Sequence, residues 1–254
     1  MGRKTERKGL SPPEQDNEAK SLLNVEEERK FEPITEIEFK FLLQDVETRN
    51  EGLSKFISTS EAFNDGVPCT DVVKKYLRSS PACEELLVLL EPSDTSLKSP
   101  GIASVLKCLE QILMRIRTDL TKNLAAGEAI VQKVLAAHMK HIYSSLQAQS
   151  KSNIIKSTLQ FLLAAVLLSE KTKRALQTRL NFAHVHFAAL FKRRNRKDDQ
   201  DVRSCMILLT LAFLVNSDSN TVKFMVQQRT FLHLTISGLK FDAKEVVVDV
   251  LLTL

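Results

Sequence analysis

No proline follows Pro100, and from Gly101 to Leu254 the chain holds only three glycines, Gly101, Gly127 and Gly238. Strong backbone breakers are thus nearly absent from more than half of the molecule, which commits that stretch to helix. Leu, Ala, Lys and Glu are plentiful and Trp is missing, a composition that favours helix over strand. With 254 residues and 43% hydrophobic side chains, there is enough apolar material for a sizeable core.

Residues 1–35 mix charges with Ser, Pro and Gln and show no sustained apolar period, which predicts a disordered polar tail. The stretch FKFLLQDVE (39–47) fits an extended or a helical segment equally well. In GLSKFISTSEAF (52–63), Leu53, Phe56 and Ile57 follow the i, i+3, i+4 spacing of a helix face, and Asn64, Asp65, Gly66 and Pro68 end it. Thr70 or Asp71 is the expected N-cap of TDVVKKYL, and Pro81 is expected in the first turn of PACEELLVLL. EPSDTSLKSPG (91–101) reads as a loop.

Beyond that loop the chain alternates apolar segments with short polar breaks, at 102–120, 127–147, 152–169, 171–180, 182–193, 201–215, 220–228, 230–239 and 243–254. The breaks are too short for crossovers to parallel strands, so neighbouring helices are expected to pack antiparallel. The fold class is therefore all-α, an α-solenoid of armadillo- or HEAT-like stacked helical hairpins over 36–254, with a compact bundle as the alternative. No fixed repeat of about 40–47 residues stands out. AKEVVVDVLLTL (243–254) carries neither a cap nor a polar final repeat, which predicts that the chain is the first part of a longer solenoid.

The net charge of +5 conceals an asymmetry. Residues 1–100 carry 14 Lys/Arg against 20 Asp/Glu, and residues 101–254 carry 22 against 11. An acidic front therefore precedes a basic body able to meet a polyanion. The sharpest basic feature is KRRNRK, with Lys192, Arg193, Arg194, Arg196 and Lys197 crowded into six positions. Each phosphate bound there would release counterions and make binding depend on salt. Asp198, Asp199 and Asp201 follow at once, where carboxylates face the positive end of the next helix. Three readings stay open for the cluster: phosphate contact, nuclear import signal, and solvated interhelical corner. Lys171, Lys173, Arg174 and Arg179 precede it and would extend a basic ridge if hairpins stack. Aromatic side chains able to stack on bases are scarce nearby, which favours backbone contact over base reading.

Little else in the chain carries chemistry. Cys69, Cys83, Cys108 and Cys205 are widely spaced and read as reduced, packed thiols. His138 and His141 share a helix face while His184 and His186 diverge, and no paired Cys or carboxylate completes a metal site, so no metal or other cofactor is expected. There is no GxSxG, P-loop or GxGxxG, which argues against an enzyme and against a small-molecule substrate. The N-terminus is too polar for a secretory signal, and Glu6 stands where a myristoylation motif needs Ser or Thr. The longest apolar runs, LQFLLAAVLL (159–168) and CMILLTLAFLV (205–215), fall short of the ~20 residues that span a bilayer, so no membrane role is expected.

Three stretches in order, VVKKYLRSSPACEELLVLL (72–90), GEAIVQKVLAAHMKHIYSSL (127–146) and DVRSCMILLTLAFLVNSDSNTV (201–222), resemble the N-terminal region of the nucleolar pre-ribosomal-associated protein 1 family. The resemblance covers about residues 35–254 and rests on helix and core patterns. It implies a very long helical-repeat protein of the nucleus and nucleolus, a scaffold without enzymatic activity in early large-subunit (pre-60S) assembly and rRNA processing. The implied partners are pre-rRNA, small nucleolar RNAs, RNA helicases and other assembly factors. The alternative is an armadillo-like adaptor that binds a peptide or helix and no RNA.

Overall fold

The computed structural model describes residues 32–64, 71–90, 99–118, 121–147, 150–180 and 197–214, with single positions at 219, 223 and 227. The described residues from Pro33 onward belong to one compact unit. Every element formed by the described residues is a helix, as the scarcity of breakers predicts. Residues 1–31 of the expected tail lie outside the described residues, as do the segments expected at 182–193, 230–239 and 243–254.

The ambiguous stretch at 39–47 is mostly helical. Helix α1 spans Glu36–Gln44 because Thr35 caps it, its side chain accepting from the Glu38 N–H, and extended Asp45 ends it. Helix α2 spans Arg49–Asn64 and buries Leu53 and Phe56. Asp71 caps α3, Val72–Ser79, by accepting from the Lys74 N–H at 3.0 Å. An aromatic triad joins the three helices: Phe39 stacks on Phe56 with centroids 4.3 Å apart, and Tyr76 meets both edge-on at 5.3 and 5.9 Å. The approach of α1 to α2 is so close that a Cβ on Gly52 would stand 2.8 Å from Leu42 Cβ.

Pro81 does not open a helix. It occupies a turn closed by the Cys83 N–H donating to the Ser80 carbonyl at 3.1 Å, and α4 begins only at Glu84 (Glu84–Val88). The fixed φ of proline suits the second position of such a turn. Cys83, at φ 49°, carries the chain from the turn into the helix. The Glu85 carboxylate reaches back to accept from the Ser80 and Tyr76 hydroxyls, tying α4 to α3.

The expected loop at 91–101 ends earlier than its composition implies. Residues 91–98 lie outside the described residues, and α5, Ser99–Thr118, takes in Ser99, Pro100 and Gly101 as its first turn. Proline is tolerated there because first-turn N–H groups have no intrahelical acceptor. A 3₁₀ turn, Thr121–Asn123, leads to α6, Leu124–Ala137. The single segment expected at 127–147 is broken at His138. Its N–H closes the last turn of α6 on the Val134 carbonyl at 2.8 Å, and its own carbonyl accepts from Ile142 in α7, Met139–Ser145. Then follow α8, Ser152–Leu168, α9, Glu170–Arg179, and α10, Lys197–Leu214. Ser169 and Thr172 form a reciprocal capping box that separates α8 from α9 without a glycine or proline.

The long helices follow one another as neighbours, α2 against α5, α5 against α8 and α8 against α10, while α6 and α9 pack on α8 and on each other. This explains the apolar run at 159–168. Along α8, Ile154, Ile155, Leu159, Phe161, Leu162, Ala164, Ala165, Val166 and Leu168 are all buried, an arc wider than half the circumference, while Asn153, Lys156 and Gln160 mark the face left partly open. The second run behaves alike, with Met206, Ile207, Leu209 and Phe213 of α10 buried. No helix among the described residues is long and apolar enough to cross a membrane.

Two stability experiments test this frame. Gly52→Val should lower stability by roughly 1–3 kcal/mol in chemical denaturation, because Leu42 cannot retreat from a new Cβ without moving α1 off α2. The second concerns pH. Burial pushes the Glu85 carboxyl up, but hydrogen bonds from Ser80, its own backbone and Tyr76, with the Lys40 ammonium, outweigh it and hold the carboxyl below its ordinary 4.5. A lowered folded value contributes stability that is present above the unfolded value and lost as pH falls through the folded one. Glu85→Gln should therefore cost roughly 0.5–1 kcal/mol at pH 7, kept small by solvent screening, with the gap to the parent closing in melts run progressively below pH ~4.5.

Candidate functional site

Reactive groups are turned inward. Cys83, Cys108 and Cys205 are free and buried. Burial raises all three thiols, Cys83 to about 12, Cys205 to about 11 and Cys108 well above its ordinary value. Such thiols stay protonated near neutral pH and make poor nucleophiles. Cys69 lies outside the described residues. His138 is buried at the α6–α7 break with its ring centroid 6.3 Å from that of His141, while His184 and His186 lie outside the described residues. Among the described residues no group of three or more His, Cys, Asp or Glu could hold a metal ion.

What remains is surface charge. Of the KRRNRK cluster, Lys192, Arg193, Arg194 and Arg196 lie outside the described residues, and Lys197 is the first residue of α10. Asp198, Asp199 and Asp201 fall in the opening turns of α10. Asp201 also binds Lys156 of α8 at 2.7 Å, so part of this acidic run pins α10 to its neighbour.

The four residues expected to extend a basic ridge all lie on α9, and they are not equivalent. Lys171 pairs with Glu128 of α6 at 2.9 Å, and Glu128 also accepts from Ser169 at 2.8 Å. Lys173 is only 3% exposed, with its ammonium 3.5 Å from Glu170. Arg174 and Arg179 are exposed. The α6–α9 junction is thus held by charge that spacing alone assigns to solvent.

A second exposed basic group is not apparent from the charge totals. On α3, Lys74, Lys75 and Arg78 all face solvent, and none has an ion-pair partner among the described residues. The signal is present in VVKKYLRS, where Lys74 and Arg78 stand one turn apart opposite Val73, Tyr76 and Leu77. Taking residues 1–100 as one acidic block hides it. Asp71 positions the group: one carboxylate oxygen caps α3 while the other accepts from Arg115 of α5, at 2.8 Å from Nη2 and 3.3 Å from Nε. Both partners are largely buried, at 14% and 19% exposed, and they line a cavity of about 210 Å³ with Ser60, Gln111, Met114 and Thr118.

The comparisons with known proteins agree with one another. A family model described as Npa1, "Ribosome 60S biogenesis N-terminal", matches residues 83–254. The mouse protein named nucleolar pre-ribosomal-associated protein 1 is 30% identical over 212 residues, covering 83% of this chain and 9% of the mouse protein. Its human counterpart is 29% identical over 231 residues, covering 90% of this chain and 10% of the human one. The chain therefore spans about a tenth of the length of these relatives. No solved structure gives a significant match.

The dual use of Asp71 can be separated by substitution. Asp71→Ala removes the cap and leaves a largely buried guanidinium without its carboxylate, and should lower stability by about 1–3 kcal/mol. Asp71→Asn keeps the cap acceptor and should lose less. Denaturant midpoints of the two variants, compared with the parent, read the difference.

Proposed function

Because this chain belongs to the Npa1 family, ribosome 60S biogenesis N-terminal, we propose that it acts in nucleolar assembly of the large ribosomal subunit, as a non-enzymatic helical scaffold that contacts pre-rRNA backbone and assembly factors. The observation that carries the reading is the family match across residues 83–254. Assembly factors, RNA helicases among them, are its proposed protein partners.

Three features support the finer points. The neighbour-to-neighbour order of α2, α5, α8 and α10, flanked by α6 and α9, is what an armadillo- or HEAT-like stack would produce. Basic side chains project from the surface of a chain that is net positive, which suits phosphate backbone rather than base edges. The described cysteines are buried with their thiols raised, which suits a role that uses no nucleophilic thiol. The basic contributors fall into two sets. One is Lys74, Lys75 and Arg78 on α3; the other is Lys192, Arg193, Arg194, Arg196 and Lys197, with Arg174 and Arg179 of α9 beside them in sequence.

Crosslinking the tagged protein to RNA in cells, followed by sequencing, tests the reading directly. Enrichment of large-subunit pre-rRNA is the expected result, and recovery at background from a folded nuclear protein would overturn the RNA contact. The two basic sets separate in vitro. Neutralising Lys74, Lys75 and Arg78 together should weaken binding to single-stranded RNA and flatten the log affinity against log salt slope by up to about 2, roughly 0.7 for each phosphate left unneutralised. Neutralising the five residues of the KRRNRK cluster should flatten it further, and an unchanged slope would leave that cluster as an import signal or a corner.

A further inference from the structure

We propose that the outer face of α1 is a docking surface for a cationic amphipathic segment of another protein. The proposal goes beyond the ribosomal reading and does not rest on it. Helix α1 is apolar on two faces, and only one is covered. Phe39 and Leu43 are buried against α2 and α3, whereas Ile37 and Phe41, one turn apart, are 74% and 70% exposed, and Val46 just past the helix is 52% exposed. Scattered apolar side chains on a surface need no explanation, but an exposed isoleucine and phenylalanine one turn apart on one helix face are what a partner helix anchors on.

The charge around the stripe selects the partner. Between residues 33 and 51 stand Glu36, Glu38, Asp45, Glu47 and Glu51 against only Lys40 and Arg49. Both cations are engaged by the protein's own body. Lys40 pairs with Glu85 at 3.5 Å and lies over the Tyr76 ring, and Arg49 Nε donates to the Leu43 carbonyl at 3.1 Å. Glu38 and Glu51 share Lys55, at 3.4 and 2.9 Å. Glu36, Asp45 and Glu47 have no ion-pair partner among the described residues and are left to set a negative potential around Ile37, Phe41 and Val46. A polyanion is repelled by this rim. A segment with apolar side chains at i and i+4, flanked by Lys or Arg, satisfies the stripe and the rim together.

The test uses the whole chain and a pair of labelled synthetic peptides of about five helical turns, or 18 residues. One has a leucine face bordered by lysines; the other has glutamate at every lysine position. Fluorescence anisotropy should show the cationic peptide binding at least about tenfold more tightly than the acidic one. The double variant Ile37→Ser, Phe41→Ser should lose at least about tenfold in affinity for it, with an unchanged melting temperature because neither side chain supports the core. Glu36→Gln with Glu47→Gln should weaken binding and reduce its sensitivity to salt. Equal binding of the cationic peptide by parent and serine variant would overturn the proposal, as would a lack of preference between the two peptides. Self-association of the parent that the serine variant abolishes would assign the face to a second copy instead.

Discussion

The structure depends on covering α8. Its buried arc, wider than half the circumference, is a demand no single neighbour can meet, and α5, α6, α7, α9 and α10 all contact it. A helix with one narrow apolar stripe can lie on a surface; one whose apolar arc is this wide needs neighbours on several sides. The sequence order of the chain follows from that demand. Helices made before α8 supply one part of the cover and those made after it supply the rest, so segments far apart in sequence are joined through this one element.

Polar interactions are subordinate to that enclosure and decide its details. Ser169 ends α8 by adopting an extended backbone and starts α9 through its capping box, while its hydroxyl also donates to Glu128 of α6. Asp71 does similar double service between α3 and α5, and Glu85 between α3 and α4. In each case one side chain sets both a helix end and the position of a second helix. Charged residues that spacing assigns to the solvated surface are consequently part of the frame, and the remaining exposed charge is what the protein can offer to partners.

The helices were largely legible from sequence because their signals are local. The Leu53, Phe56 and Ile57 spacing, the cap at Asp71 and the apolar run at 159–168 each act within a turn or two, and each reappears in the folded chain. Failures occurred where a local rule has two outcomes. Pro81 suits a helix start or a turn, and the hydrogen bonds of Ser80 and Tyr76 to Glu85 accompany the turn. Pro100 suits a loop or a first turn, and α5 takes it into the helix. The break at His138 has no glycine or proline to announce it.

Charge was less legible than fold, since sequence counts charges but does not assign their partners. Lys173 and Arg174 are adjacent and equally basic on paper, yet one is buried beside Glu170 and the other is exposed. Lys74, Lys75 and Arg78 vanish into an acidic average, although α3 presents all three on its surface. The sequence by itself determined that the described residues form helices, where α3, α8 and α9 begin, and that the chain carries excess positive charge, because backbone breakers, caps and composition act at short range or in sum. Only the tertiary structure decided which apolar faces are covered and which charges face outward. Burial and pairing are set by neighbours tens of residues away, as when Lys171 meets Glu128 while Ile37 and Phe41 are left in water.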